Sequence, residues 1–71
     1  MNIMTKRGMK DNIVTYEHYC DTKADMNNIA PEYITLGSVV IVVKDETNNN
    51  ALSVYMADSN KEWQPLMTTG G

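Results

Sequence analysis

Several absences bound this 71-residue chain before anything present is read. It has one cysteine, so no disulfide can form within the chain. It has one histidine, and with one cysteine beside it no tetrahedral zinc set of about four ligands is evident. Phenylalanine is missing altogether, and the large apolar area rests on four tyrosines, one tryptophan and the aliphatics. Basic residues are few, six against nine acidic, for a formal net charge of -3. That balance argues against nucleic acid as a partner, because phosphate binding needs clustered Lys and Arg. No segment reaches the roughly 18 consecutive apolar residues of a membrane span, so no membrane partner is expected. Residues 1–9 lack the apolar stretch of a signal peptide, and export is not expected. The unpaired Cys20 fits synthesis in a reducing cytoplasm.

The length allows one domain at most, and one so small is marginal by itself without disulfides or metal. Stability must come from a compact sheet, from assembly with other copies, or from docking on a larger body. The chain divides into a flexible arm over 1–11, a single small β domain over 12–67 and a loose C-terminus over 68–71. The arm carries Lys6, Arg7 and Lys10 before Asp11, the first acidic residue. Its basic charge suits an acidic neighbour.

Residues 36–66 organise the rest. Val39, Val40, Ile41, Val42 and Val43 are five consecutive β-branched residues. Helices disfavour such a run and buried strands favour it. A strand apolar on both faces should be central, with a cover on each side. A chain this thin hardly supplies two covers, which predicts a second chain or a tightly curled sheet. Residues 44–50 read as a hairpin tip, where asparagine tolerates the left-handed backbone of a reversal. Residues 51–57 read as the next strand, with Leu52, Val54 and Met56 as its apolar face and Ser53 and Tyr55 opposite. A turn over 58–61 leads to a strand with Trp63, which Pro65 makes an edge. The expected fold is therefore mainly β, a small antiparallel meander of three to four strands with at most one short helical turn.

Upstream, residues 12–19 alternate as a strand, with Ile13, Thr15, Glu17 and Tyr19 on one side and Val14, Tyr16 and His18 on the other. Glu17 among apolar neighbours suggests an edge strand or one given to a neighbouring subunit. Residues 20–31 are polar, and Asp21 or Thr22 can cap a short helical turn.

Chemistry-bearing residues are sparse. His18, Cys20 and Asp21 could be imagined as metal ligands or a Cys-His nucleophile pair, but no further ligand or orienting group accompanies them. Asp21, Asp25 and Glu32, or Asp45, Glu46 and Asp58, lack the dense oxygen spacing and internal glycine of a calcium loop. Tyr16, Tyr19, Tyr33, Tyr55 and Trp63 could stack single-stranded bases, but such platforms pair aromatics with a basic groove. No catalytic, cofactor or metal residue is assigned, and no enzyme is expected. The residues expected to form the oligomer or partner contact are Val39, Val40, Ile41, Val42, Val43, Leu52, Val54, Tyr55 and Trp63.

The pattern TLGSVVIVVKDE followed by LSVYMADSNKEWQPL resembles that of short bacteriophage virion proteins, of the head-fibre or minor structural type. The matching positions are Gly37, Ser38, the five residues 39–43, Asp45, Tyr55, the turn 58–60 and Trp63, within a similarity spanning 24–66. The turn at 48–50 is longer and richer in Asn than the usual one, and the turn at 58–61 lacks the glycine often seen there. The resemblance implies a non-enzymatic domain without cofactor, often trimeric or otherwise multimeric. Such a domain attaches to a capsid, tail or fibre in a virion assembled in the host cytoplasm. Its partners would be copies of itself and other virion proteins. Two alternatives remain open: a small regulator or inhibitor that binds a host protein, and a nucleic-acid-binding β-barrel module.

Overall fold

The computed structural model describes residues 2–68. The β-branched run forms the middle of the molecule. Five strands make one sheet in the order β1 (Asn2–Lys10), β2 (Ile13–Thr22), β3 (Val39–Asp45), β4 (Ala51–Ala57) and β5 (Trp63–Thr68). The protein is mainly β, and β3, β4 and β5 are the expected antiparallel meander. Two further strands extend it. β1 and β2 form an antiparallel hairpin, and β2 lies parallel to β3, so the sheet is mixed. A parallel pair needs a crossover of about a dozen residues or more. Residues 23–38 provide it, with the single turn of α1 (Lys23–Met26) and a 3-10 turn, Pro31–Tyr33.

The arm expected over 1–11 is instead strand β1 across residues 2–10. Asp11 and Asn12 both adopt left-handed backbone, φ 53° and 66°, and join Lys10 to its partner Ile13. That is the two-residue loop whose twist matches paired strands. With β1 alongside, β2 is interior rather than an edge. Of the C-terminus expected to be loose over 68–71, Thr68 closes β5 and 69–71 lie outside the described residues.

The core lies on one face of the sheet. Cys20, Met26, Val40, Val42 and Tyr55 pack together, with Ile29 and Trp63 against them. Full burial of a valine contributes about 1.5–3 kcal/mol, and Val40 and Val42 have no exposed surface. Thr22 caps α1 by accepting from the Asp25 N–H at 3.2 Å. The Glu46 carboxylate also accepts from the Lys23 and Ala24 N–H groups at 2.7 and 3.1 Å. These groups are the otherwise unpaired donors of a helix start. Met26 is thereby set down on the strands.

A bulge decides what β3 buries at its end. Val42 pairs with Ser53 while Asp45 pairs with Ala51, so Val43 and Lys44 together oppose Leu52. The extra residue resets the alternation. Lys44 turns to solvent and Asp45 turns inward, fully buried.

Gly37 and Ser38 fasten the start of β3. Gly37 sits at φ 88°, where a side chain is strained. The buried Ser38 hydroxyl accepts from the Tyr16 N–H at 3.0 Å, and its carbonyl accepts from the Ala57 N–H at 2.8 Å. A side-chain oxygen thus continues the β2–β3 pairing where the parallel ladder begins. At the two turns of the meander, asparagine and lysine take the left-handed positions: Asn49 and Asn50 at φ 55° and 60°, and Lys61 at φ 63°. Lys61 replaces the glycine absent from 58–61, and its ammonium donates to the Pro31 and Ile34 carbonyls at 3.0 and 3.1 Å.

Candidate interaction face

Strand alternation divides the nine residues expected at the partner contact between two faces. Val40, Val42 and Tyr55 are buried by this chain's own crossover, at 0%, 0% and 6% exposure, and Trp63 is half-buried against the same cluster. Side chains with no accessible surface cannot meet a partner. Val40, Val42 and Tyr55 are core, which corrects their assignment to a contact, while Trp63 packs on the core and keeps part of its surface exposed. The faces of β4 are also the reverse of the expected ones. Ser53, Tyr55 and Ala57 point into the core, and Leu52, Val54 and Met56 point away from it. The polar pair is tolerated inside because its hydroxyls have partners. Tyr55 donates to Oδ2 of Asp45, and Ser53 lies within reach of Asn48 Nδ2, at 3.3 Å.

Val39, Ile41, Val43, Leu52 and Val54 share the opposite face. Ile41 pairs with Val54 and Val39 with Met56, so these side chains sit side by side across β3 and β4. Tyr19 pairs with Ile41 from β2, and Ile3 pairs with Tyr19 from β1. The result is an apolar band across four strands. Val43, Leu52, Tyr19 and Ile3 are 47%, 37%, 37% and 51% exposed, while Val39 is 8% exposed. Both helical segments of the crossover lie on the other side. Met26 of α1 is in the core, the Lys23 ammonium stands 5.2 Å from the Tyr55 ring centre, and Tyr33 meets Tyr16 edge-on at 5.5 Å. Among the described residues no helix covers the band.

Strand alternation also puts two acidic residues of β2 on this side, the exposed Asp21 next to Val43 and Glu17 next to Val39, and Glu17 is engaged locally. Arg7 lies 3.8 Å from its carboxylate, and the Tyr19 hydroxyl donates to the same group. That hydrogen bond, then burial and the Glu17 charge, raise the Tyr19 hydroxyl above its ordinary value. The band runs into a shallow groove of about 590 Å³, whose lining includes Thr15, Leu36, Gly37 and Met56, with Arg7 and Asp11 among the charged members.

The residues weighed for chemistry occupy structural positions. His18 is 2% exposed, its Nε2–H donates to the Tyr33 carbonyl at 2.8 Å, and its ring meets Trp63 edge-on at 5.9 Å. Cys20 is 1% exposed, and burial, with Asp25 adding to it, pushes its thiol up to about 11. A thiol so buried and held protonated is a poor nucleophile at neutral pH. Asp58 is a turn acceptor for the Asn60 and Glu62 N–H groups, at 2.8 and 3.0 Å. Among the described residues no three His, Cys, Asp or Glu side chains converge as a metal site would require. The aromatics do not form one platform: Tyr16, Tyr33, Tyr55 and Trp63 pack on the core side and Tyr19 on the open side.

Ile3, Tyr19 and Met56 belong to the open band but not to the expected contact set. The parity of residues 13–19 placed Tyr19 opposite His18, which was the available signal. Its pairing with Ile41 depended on a parallel register that no local pattern encodes. Comparison with family models, with curated proteins and with solved structures finds no match for this chain.

Proposed function

We propose that this chain is a non-enzymatic structural domain of a bacteriophage particle, held in its assembly through the open face of its sheet. One observation carries the assembly part of the reading. The β-branched run of β3 has two apolar sides, and the crossover covers only the one with Val40 and Val42. Sheets bury both apolar faces by packing them against another layer, and an exposed apolar patch of this kind marks an interaction site in a folded protein. The open side carries Ile41, Val43, Leu52 and Val54 with no charge among them. That composition suits a protein partner better than phosphate, since the cation beside it, Arg7, is already paired with Glu17.

The virion setting is supported by the resemblance of the segment around Gly37, Ser38, Asp45, Tyr55 and Trp63 to short head-fibre and minor structural proteins. The experiment is fractionation of the lysate when the gene is expressed in its phage context. The domain is expected to sediment with assembled particles and to stay with them through a density gradient. Recovery wholly in the soluble fraction, bound to a host protein or to nothing, would reject the reading.

A further inference from the structure

We infer that the occupant of the open face is a second copy of this chain, packed sheet against sheet about a two-fold axis. The particle role proposed above is presupposed, and the partner within it is named. Three observations bear on the choice.

The first is area. The two long dimensions of the molecule are 37 and 21 Å, which bounds a face on the order of 800 Å², the area each partner buries in a stable interface of standard size. A short docked peptide would leave much of the band wet, whereas a second sheet of the same dimensions covers it. The second is charge. A two-fold contact sets each residue near its own copy or a neighbour's, so a charged centre would repel itself. Here the centre is Ile41, Val54 and Leu52; of the flanking charges, Glu17 is already engaged by Arg7 and Tyr19, and Asp21 stands at the end of β2 beside Val43, at the margin of the band. The third is the contrast with the sheet's edges. β5 contains Pro65 and a bulge at Leu66, and β1 has a bulge at Arg7 beside Lys6. Charges, prolines and bulges all oppose edge-to-edge pairing. The face is therefore the surface open to self-association, and two such sheets pack with about 10 Å between them.

The test is sedimentation equilibrium on the full chain and three variants, with circular dichroism to follow the fold. Val43→Lys and Leu52→Lys add a charge where the side chain is already exposed, so the monomer should fold. Ser59→Lys adds the same charge at an exposed turn away from the face. The parent and Ser59→Lys are expected to be dimers. Val43→Lys and Leu52→Lys are each expected to raise the dissociation constant about tenfold or more, because an ammonium must be desolvated in the contact. A dimer unchanged by both face variants would overturn the proposal, as would a trimer or larger ring. So would a parent that stays monomeric and folded, and an apolar fluorescent dye then separates two failures. Dye bound by the parent and lost in Val43→Lys keeps the face as a docking surface for a different partner. A folded monomer that binds no dye removes the assembly role together with the dimer.

Discussion

The hydroxyl of Tyr55 donates to Oδ2 of Asp45 inside the core, ten residues apart on the two arms of the β3–β4 hairpin. The carboxylate is fully buried and also accepts from the Thr47 hydroxyl and N–H, at 2.5 and 2.9 Å. Burial alone would raise its pKa. The donors from Thr47, Tyr55 and Ser53 outweigh burial and hold it at about 2, below an ordinary value of 3.8. A buried charge thus becomes the node that fixes where β3 ends and the hairpin turns.

Removing the tyrosine donor should expose that dependence. Tyr55→Phe keeps the ring in the core but leaves one carboxylate oxygen short of a partner, and should cost about 1–3 kcal/mol in urea unfolding at neutral pH. The pH behaviour follows from the same pair. A carboxyl whose folded pKa lies below its unfolded one stabilises the fold above the unfolded value, and the contribution fades as pH falls through the folded value. In the parent the loss therefore runs from about pH 3.8 down to about 2. Asp45→Asn should flatten the melting temperature across that window. A variant whose melting temperature falls with acid as steeply as the parent's would show that other groups govern acid stability.

Ser38→Ala tests the fastening of the parallel pair. The variant leaves the partly buried Tyr16 N–H without its acceptor at 3.0 Å. A loss of about 1–3 kcal/mol is expected, with faster amide exchange at Tyr16 than in the parent. Unchanged exchange at Tyr16 would mean that the hydroxyl does not hold the two strands together.

Trp63→Ala should destabilise by about 2–3 kcal/mol, below the roughly 3–5 kcal/mol of a fully buried aromatic, because the ring is half-buried against the core. Equilibrium unfolding followed by circular dichroism measures it. Its loss should weaken the fold and leave the open face intact, so any effect on association should follow stability alone.

Cys20 should be silent toward a thiol reagent in the folded protein. It is 1% exposed, and its thiol is pushed up to about 11. Reaction with an aromatic disulfide at neutral pH should track global unfolding and become rapid in denaturant. Rapid labelling under native conditions would show that the core side opens locally.

The meander was readable because its signals are local. Five β-branched residues, an asparagine-rich tip and a proline in the last strand mark β3, β4 and β5 without tertiary information. Three features were hidden by non-local causes. β1 has no apolar periodicity of its own and is a strand because β2 pairs with it; the clue was Asp11-Asn12, two residues tolerant of left-handed backbone. The inward face of β4 is not the one its composition suggests, because Leu52, Val54 and Met56 are more apolar than Ser53, Tyr55 and Ala57. The bulge at Val43 and Lys44 brings Asp45 to the core side, where Ser53 and Tyr55 can donate to it, and a bulge leaves no trace in composition. The contact set mixed core with surface for a related reason. In a run apolar at every position the pattern cannot say which parity the crossover covers.

The central claim is that the face carrying Ile41, Val43, Leu52 and Val54 is covered by another copy of the chain. Light scattering across a micromolar concentration series tests it most directly. The expected mass is twice the 8.0 kDa of one chain, falling toward one chain only on strong dilution. A mass of 8.0 kDa at every concentration, with native circular dichroism, would contradict it.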